Sequence, residues 1–105
     1  MTAQAAIVAI SQAAPQLTSA LSQDQLDEVL RLWADVSQPI SEADVRILLT
    51  MLPADGDLAF EVNWTLLHAI ERSLCWPLWD ALSDENDWHR RLKLLLANAG
   101  IHSPA

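Results

Sequence analysis

Apolar residues recur along this chain with a helical period, and no stretch alternates in the manner of a strand. Ala3, Ile7, Ile10, Ala14, Leu17 and Leu21 fall on one stripe of a first helix that starts after Thr2, and the sequence leaves open whether this helix bends at Pro15 or a second begins there. Ser22-Gln23-Asp24-Gln25 reads as a capping box. Leu26, Val29, Leu30 and Trp33 follow at i, i+3, i+4 and i+7 as one face of a second helix, with Asp24, Glu28, Arg31 and Asp35 on the solvent side. Ile40-Ser41-Glu42-Ala43-Asp44-Val45 is another helix start: Ser41 caps, Glu42 and Asp44 suit the positive end of the dipole, and Ile40 staples onto Val45. Val45, Leu48, Leu49 and Leu52 make its main face, and Ile47 and Met51 add a second apolar edge, more than an outer helix needs. Pro53-Ala54-Asp55-Gly56-Asp57 supplies the next turn.

From about Leu58 to Leu74 the pattern is apolar nearly all round. Phe60, Trp64, Leu67 and Leu74 share one side, and Val62, Leu66, Ala69 and Ile70 continue the belt. Only Glu61, Thr65, His68 and Arg72 form a polar strip, so this helix is expected at the centre of the bundle. Glu71 points between Phe60, Trp64 and Leu67 and reads as an inward acid with an indole N–H or an arginine as partner. Pro77 opens a short helix to Leu82. A last helix runs from about Glu85 to Asn98, capped by Ser83 or Asp84, with Trp88, Leu92, Leu95 and Ala99 aligned. Gly100 stands where a left-handed C-cap belongs, and Ile101 can fold back. The expected fold is all-α: a compact single-domain bundle of five or six short helices. Within it, 1–21 are a neutral helix or helix pair, 22–74 an acidic three-helix segment, and 75–105 a tryptophan-containing short helix and the C-terminal helix.

A hydrophobic content of 51% over 105 residues argues against disorder despite a net charge of −8. The charge is unevenly placed. Residues 1–23 carry none, 24–71 hold ten acids against Arg31 and Arg46, and from Arg72 onward four acids balance four bases. Such a chain repels phosphate backbones and anionic lipid, so neither nucleic acid nor membrane is an expected partner, whereas a basic protein is. Cys75 is the one cysteine, so no internal disulfide forms. The short apolar run Ala5–Ile10 lacks a basic leader and no segment approaches membrane-spanning length, so a cytoplasmic location is expected.

No catalytic, cofactor or metal motif stands out. His68 with Glu71 and Glu85 with His89 have spacings that can share a metal, but three histidines are few for a site of that kind. The structural reading puts His68 on an exposed strip, pairs His89 with Glu85 and buries the Cys75 thiol. Of five tryptophans, Trp33, Trp64 and Trp88 lie on apolar stripes and belong to the core. Trp76 and Trp79, one helical turn apart beside Asp80, either cap that core or form an aromatic anchor for a partner. The expected function is a non-catalytic acidic protein-binding domain, in the manner of a small inhibitor, antitoxin or immunity-type protein that blocks a basic partner such as a toxin. Asp24, Asp27, Glu28, Asp35, Asp55, Asp57, Trp76, Trp79 and Asp80 are the candidate contacts, and no cofactor is expected. One alternative is an adaptor or homodimer with Ile47, Met51 and the tryptophans in an apolar interface. Another is an enzyme using Glu71 and His68.

Overall fold

The computed structural model describes residues 3–57, 59 and 62–102. Among them lie five α-helices and no strand: α1 (Ala5–Ala13), α2 (Gln23–Trp33), α3 (Glu42–Met51), α4 (Val62–Arg72) and α5 (Asp87–Asn98), with a 3-10 turn at Trp79–Ala81 before the last. The radius of gyration, 13.3 Å, matches the roughly 13 Å of a compact unit of this length.

α1 stops short of Pro15 because the residue before a proline is pushed out of the helical region, and Ala14 accordingly has φ −147° and ψ 82°. The stripe still faces inward. Ile7, Ile10, Ala14 and Leu17 are fully buried, and the Leu17 N–H donates to the Met51 carbonyl at 3.0 Å, which pins the connection to the end of α3. α2 opens on the complete Ser22–Gln25 capping box and runs antiparallel to α1: Gln25 Nε2 meets the Ala13 carbonyl at one end, while Gln4 bonds Ser37 at the other. Its buried line passes through Val29, flanked by half-buried Leu26, Leu32 and Trp33. Leu30, expected on that face, is 51% exposed, since α2 packs chiefly on α1 and Leu30 lies on its uncovered edge.

α3 begins with the Ser41–Asp44 capping box, and Ile40 and Val45 are both buried as a staple requires. Met51 is 1% exposed and belongs to the core, while half-buried Ile47 packs on it, so this edge serves the bundle itself. After α3, Gly56 adopts φ +79° in a turn closed by its N–H on the Pro53 carbonyl. A Cβ there would meet Asp87 Oδ2 at 2.7 Å, so glycine is required both by the dihedral and by the close approach of α5.

α4 buries Val62, Asn63, Leu66, Leu67, Ala69 and Ile70, a broad face in keeping with a central helix. The expected Phe60 and the Leu58 start lie outside the described residues. The direction of burial is rotated away from Trp64. Glu71 therefore lies exposed beside His68, and the expectation of an inward Glu71 is corrected. Leu74 is corrected too. The helix ends at Arg72, Ser73 turns in to donate its hydroxyl to the Ile40 carbonyl at 2.7 Å, and Leu74 is left 90% exposed.

Pro77 does not open a helix. The Trp76–Pro77 bond is cis, Leu78 at φ −107° and ψ 82° is non-helical and buried, and only Trp79–Ala81 form a short turn. Anchoring Leu78 in the core overrides the local helix signal. α5 is capped by Asn86, whose side chain accepts the His89 N–H, and not by Ser83 or Asp84. At its other end Gly100 (φ +79°) and Ile101 complete the expected reversal, with the Ile101 N–H on the Leu96 carbonyl at 2.8 Å and the Gly100 N–H on Ala97.

Candidate functional site

The acids of the middle segment divide into those that serve the fold and those that do not. Asp57 serves it. Its Oδ1 accepts the Ser19 hydroxyl at 2.6 Å, the Ser19 N–H at 3.1 Å and the Ala59 N–H at 2.7 Å, and these bonds, the Ser19 hydroxyl foremost, hold its carboxyl below the ordinary value. Its backbone carbonyl accepts Trp88 Nε1 and Asn63 Nδ2, each at 2.8 Å. Asp55 accepts the Asp57 N–H and is otherwise turned to solvent. Because Ser19 lies shortly before the Ser22 cap, Asp57 seats this turn next to the start of α2.

Glu28 and Asp80 are paired. Arg31 bonds Glu28 on the same helix, and that bond lowers the Glu28 carboxyl. Arg46 of α3 grips Asp80 through two nitrogens at 3.0 and 3.3 Å and also reaches Glu42, so Asp80 sits beside α3, with its carboxyl lowered by the guanidinium. Asp24, Asp27 and Asp35 are exposed and, among the described residues, stand in no ion pair; Asp27 accepts only the Gln23 amide, at 2.8 Å. Asp24, Asp27 and Asp35 are thus carboxylates outside any ion pair, on and just beyond one helix, with Asp35 near enough to Arg31 to feel its charge.

Trp33, Trp64 and Trp88 lie in or against the core as expected, and the pair Trp76 and Trp79 is split. Trp88 is fully buried; Trp64 is half-buried and meets its edge at a centroid distance of 5.2 Å, with the Arg91 guanidinium 4.7 Å from the Trp88 ring and 5.3 Å from Trp64. Trp33 is half-buried against the core. Trp76 also packs on the core, whereas Trp79 is half-buried in the 3-10 turn. Since Leu78 between them is non-helical and the 3-10 turn begins only at Trp79, Trp76 and Trp79 are not one turn apart on a helix.

His89 does not pair with Glu85. It is buried, with Nδ1 accepting the Ser83 N–H at 3.0 Å and Nε2 at 2.8 Å from the Leu49 carbonyl, so the imidazole is the neutral Nε2–H form that ties the pre-α5 loop to α3. His68 and Glu71 approach to 3.7 Å on the exposed flank of α4. No group of three metal-ligating side chains occurs among the described residues. Cys75 is half-buried, its Sγ 3.0 Å from Ser73 Oγ.

Two surface features were not anticipated. An open groove of about 460 Å³ between α1 and α2 is lined by Gln4, Ala5, Ala6, Ala9, Leu32 and Asp35. A smaller apolar one, about 360 Å³, lies among Pro39, Ile40, Ser41, Glu42, Ser73, Leu74 and Cys75. The charge-free stretch 1–23 is the sequence signal for the first, and the second depends on where α4 ends. No helix among the described residues is long and apolar enough to cross a membrane. Comparison with protein families, with curated proteins and with solved structures finds no match to this chain.

Proposed function

We propose that this domain is a non-catalytic acidic binding module that docks a basic partner protein, in the manner of a small inhibitor or immunity-type protein covering the working face of a toxin. The observation that carries the reading is the set of exposed carboxylates outside any ion pair: Asp24 and Asp27 on α2 and Asp35 just beyond its end. Uncompensated surface charge of one sign disfavours the domain's own compactness but raises the encounter rate with a partner of opposite sign. Asp55 extends the acidic face near the start of α2. Asp57, Glu28 and Asp80 contribute to the field while their hydrogen bonds stay within the fold.

The test is affinity capture from the source cell at low and high salt, with wild type and the triple variant Asp24→Lys/Asp27→Lys/Asp35→Lys as baits. The expected result is a basic protein held by wild type, released by salt and lost with the triple variant. Retention of the same protein by the charge-reversed bait sinks the reading.

A second reading, self-association, is favoured by Leu74, 90% exposed beside the apolar cavity of Pro39, Ile40 and Cys75. Light scattering at micromolar concentration decides it: a mass near twice 11.6 kDa that returns to monomer in Leu74→Ser supports a homodimer, and a concentration-independent monomer removes it.

A further inference from the structure

The two walls of the larger groove differ in chemistry. α1 contributes Ala5, Ala6 and Ala9, which fall on one flank of the helix, and no residue of α1 is charged. α2 contributes Leu32. Asp35, just beyond the end of α2, completes this wall, while Glu28, one turn before Leu32, is bound to Arg31. An uncharged wall of small side chains therefore faces Leu32 and one lining carboxylate, Asp35, across an open trough. Gln4 closes one end; its amide is held by Asp44 and Ser37, so that end is fixed in place.

We propose that this groove seats a basic amphipathic helix of the partner, with its apolar edge against Ala5, Ala6, Ala9 and Leu32 and a lysine or arginine toward Asp35. This rests on the basic-partner reading above and names its mode of contact. Alanine permits the close approach of helix axes, near the lower end of the roughly 8–10 Å range, that larger side chains would prevent. The nine residues of α1 span about 13 Å, so two to three turns of a partner helix are covered. Charge complementarity selects the occupant: an acidic helix would meet exposed Asp35 at the lip, and a wholly apolar one would leave that carboxylate unanswered.

The test titrates the full ¹⁵N-labelled chain with an amphipathic leucine–lysine helix of about 18 residues, roughly 27 Å long, and with a scrambled peptide of the same composition. Expected are amide shifts at Ala5, Ala6, Ala9, Leu32 and Asp35 and binding about tenfold tighter for the amphipathic peptide, some 1.4 kcal/mol. Ala5→Phe, at an exposed position, should lose most of that advantage. Asp35→Lys, wholly on the surface, serves as the second variant and should weaken binding about fivefold. Equal binding of the two peptides, undiminished binding to both variants, or shifts centred on Leu74 would overturn the groove. The broader reading survives those results if charge reversal at Asp24 and Asp27 still abolishes capture of a basic protein, and falls with them if it does not.

Discussion

Asp44 is the most consequential carboxylate for stability, and truncating it gives a quantitative test. Its side chain has no solvent exposure, yet it accepts the Gln4 N–H at 2.8 Å, the Gln4 amide at 3.0 Å and the Ser41 N–H at 3.1 Å. One group thus joins the N-termini of α1 and α3. Burial pushes its carboxyl up, but the bonds from Ser41 and Gln4 outweigh this and leave it below the ordinary value of 3.8. Asp44→Ala leaves three donors without their charged acceptor. Each such bond contributes about 1.5 kcal/mol net, and water can reach the Gln4 amide in part, so a loss of about 3 kcal/mol is expected. For a domain of this size that lowers the melting temperature by roughly 15 °C. The sign of the pH dependence follows from the lowered carboxyl: folding favours the ionised form, so the contribution is present above about pH 4 and disappears as pH falls through the folded value. Calorimetry from pH 3 to 7 should show wild type losing stability on the acid side and Asp44→Ala losing less of it. A melting temperature within about 3 °C of wild type at neutral pH, or an unchanged acid slope, would refute the assignment of Asp44 as the joint between the two helices.

Other outcomes follow from the same geometry. His89→Leu fills the site but leaves the Ser83 N–H and Leu49 carbonyl unpaired, so urea unfolding should show a loss of about 2–4 kcal/mol. Gly56→Ala meets both the positive φ and the Asp87 carboxylate and should cost about 1–3 kcal/mol by the same assay, whereas Gly100→Ala, with open space around its Cβ, should cost only about 1. Trp88→Phe removes the N–H that bonds the Asp57 carbonyl and should both quench the tryptophan signal of folding and destabilise by about 2 kcal/mol.

What could be read in advance was local. The capping box at Ser22–Gln25, the cap at Ser41 and the Gly100 reversal depend on residues three to five apart, and all three formed. So did the helical class. What escaped depended on how a helix is turned about its own axis. A rotation of α4 moved Glu71 to the surface, and a small one of α5 brought His89 inward, because backbone groups of α3 and the preceding loop, the Leu49 carbonyl and the Ser83 N–H, supplied its two hydrogen bonds. Helix ends were the other source of error. Ser73 found a partner in Ile40, a residue 33 positions away, and that contact decided the exposure of Leu74. The acids on α2 were legible as a stripe, but the seating of Asp35, just beyond α2, on an alanine-walled groove required the pairing of α1 with α2, which no single helix encodes.

The central claim is that the exposed carboxylates on and just beyond α2 receive a basic partner. Its most direct test is the association rate of the captured partner with wild type and with Asp24→Lys/Asp27→Lys/Asp35→Lys, each across a range of ionic strength. The account predicts a wild-type rate that falls about tenfold or more between low and physiological salt, and a variant rate that is slower at low salt and nearly flat. Equal rates with equal salt dependence in the two proteins would contradict it.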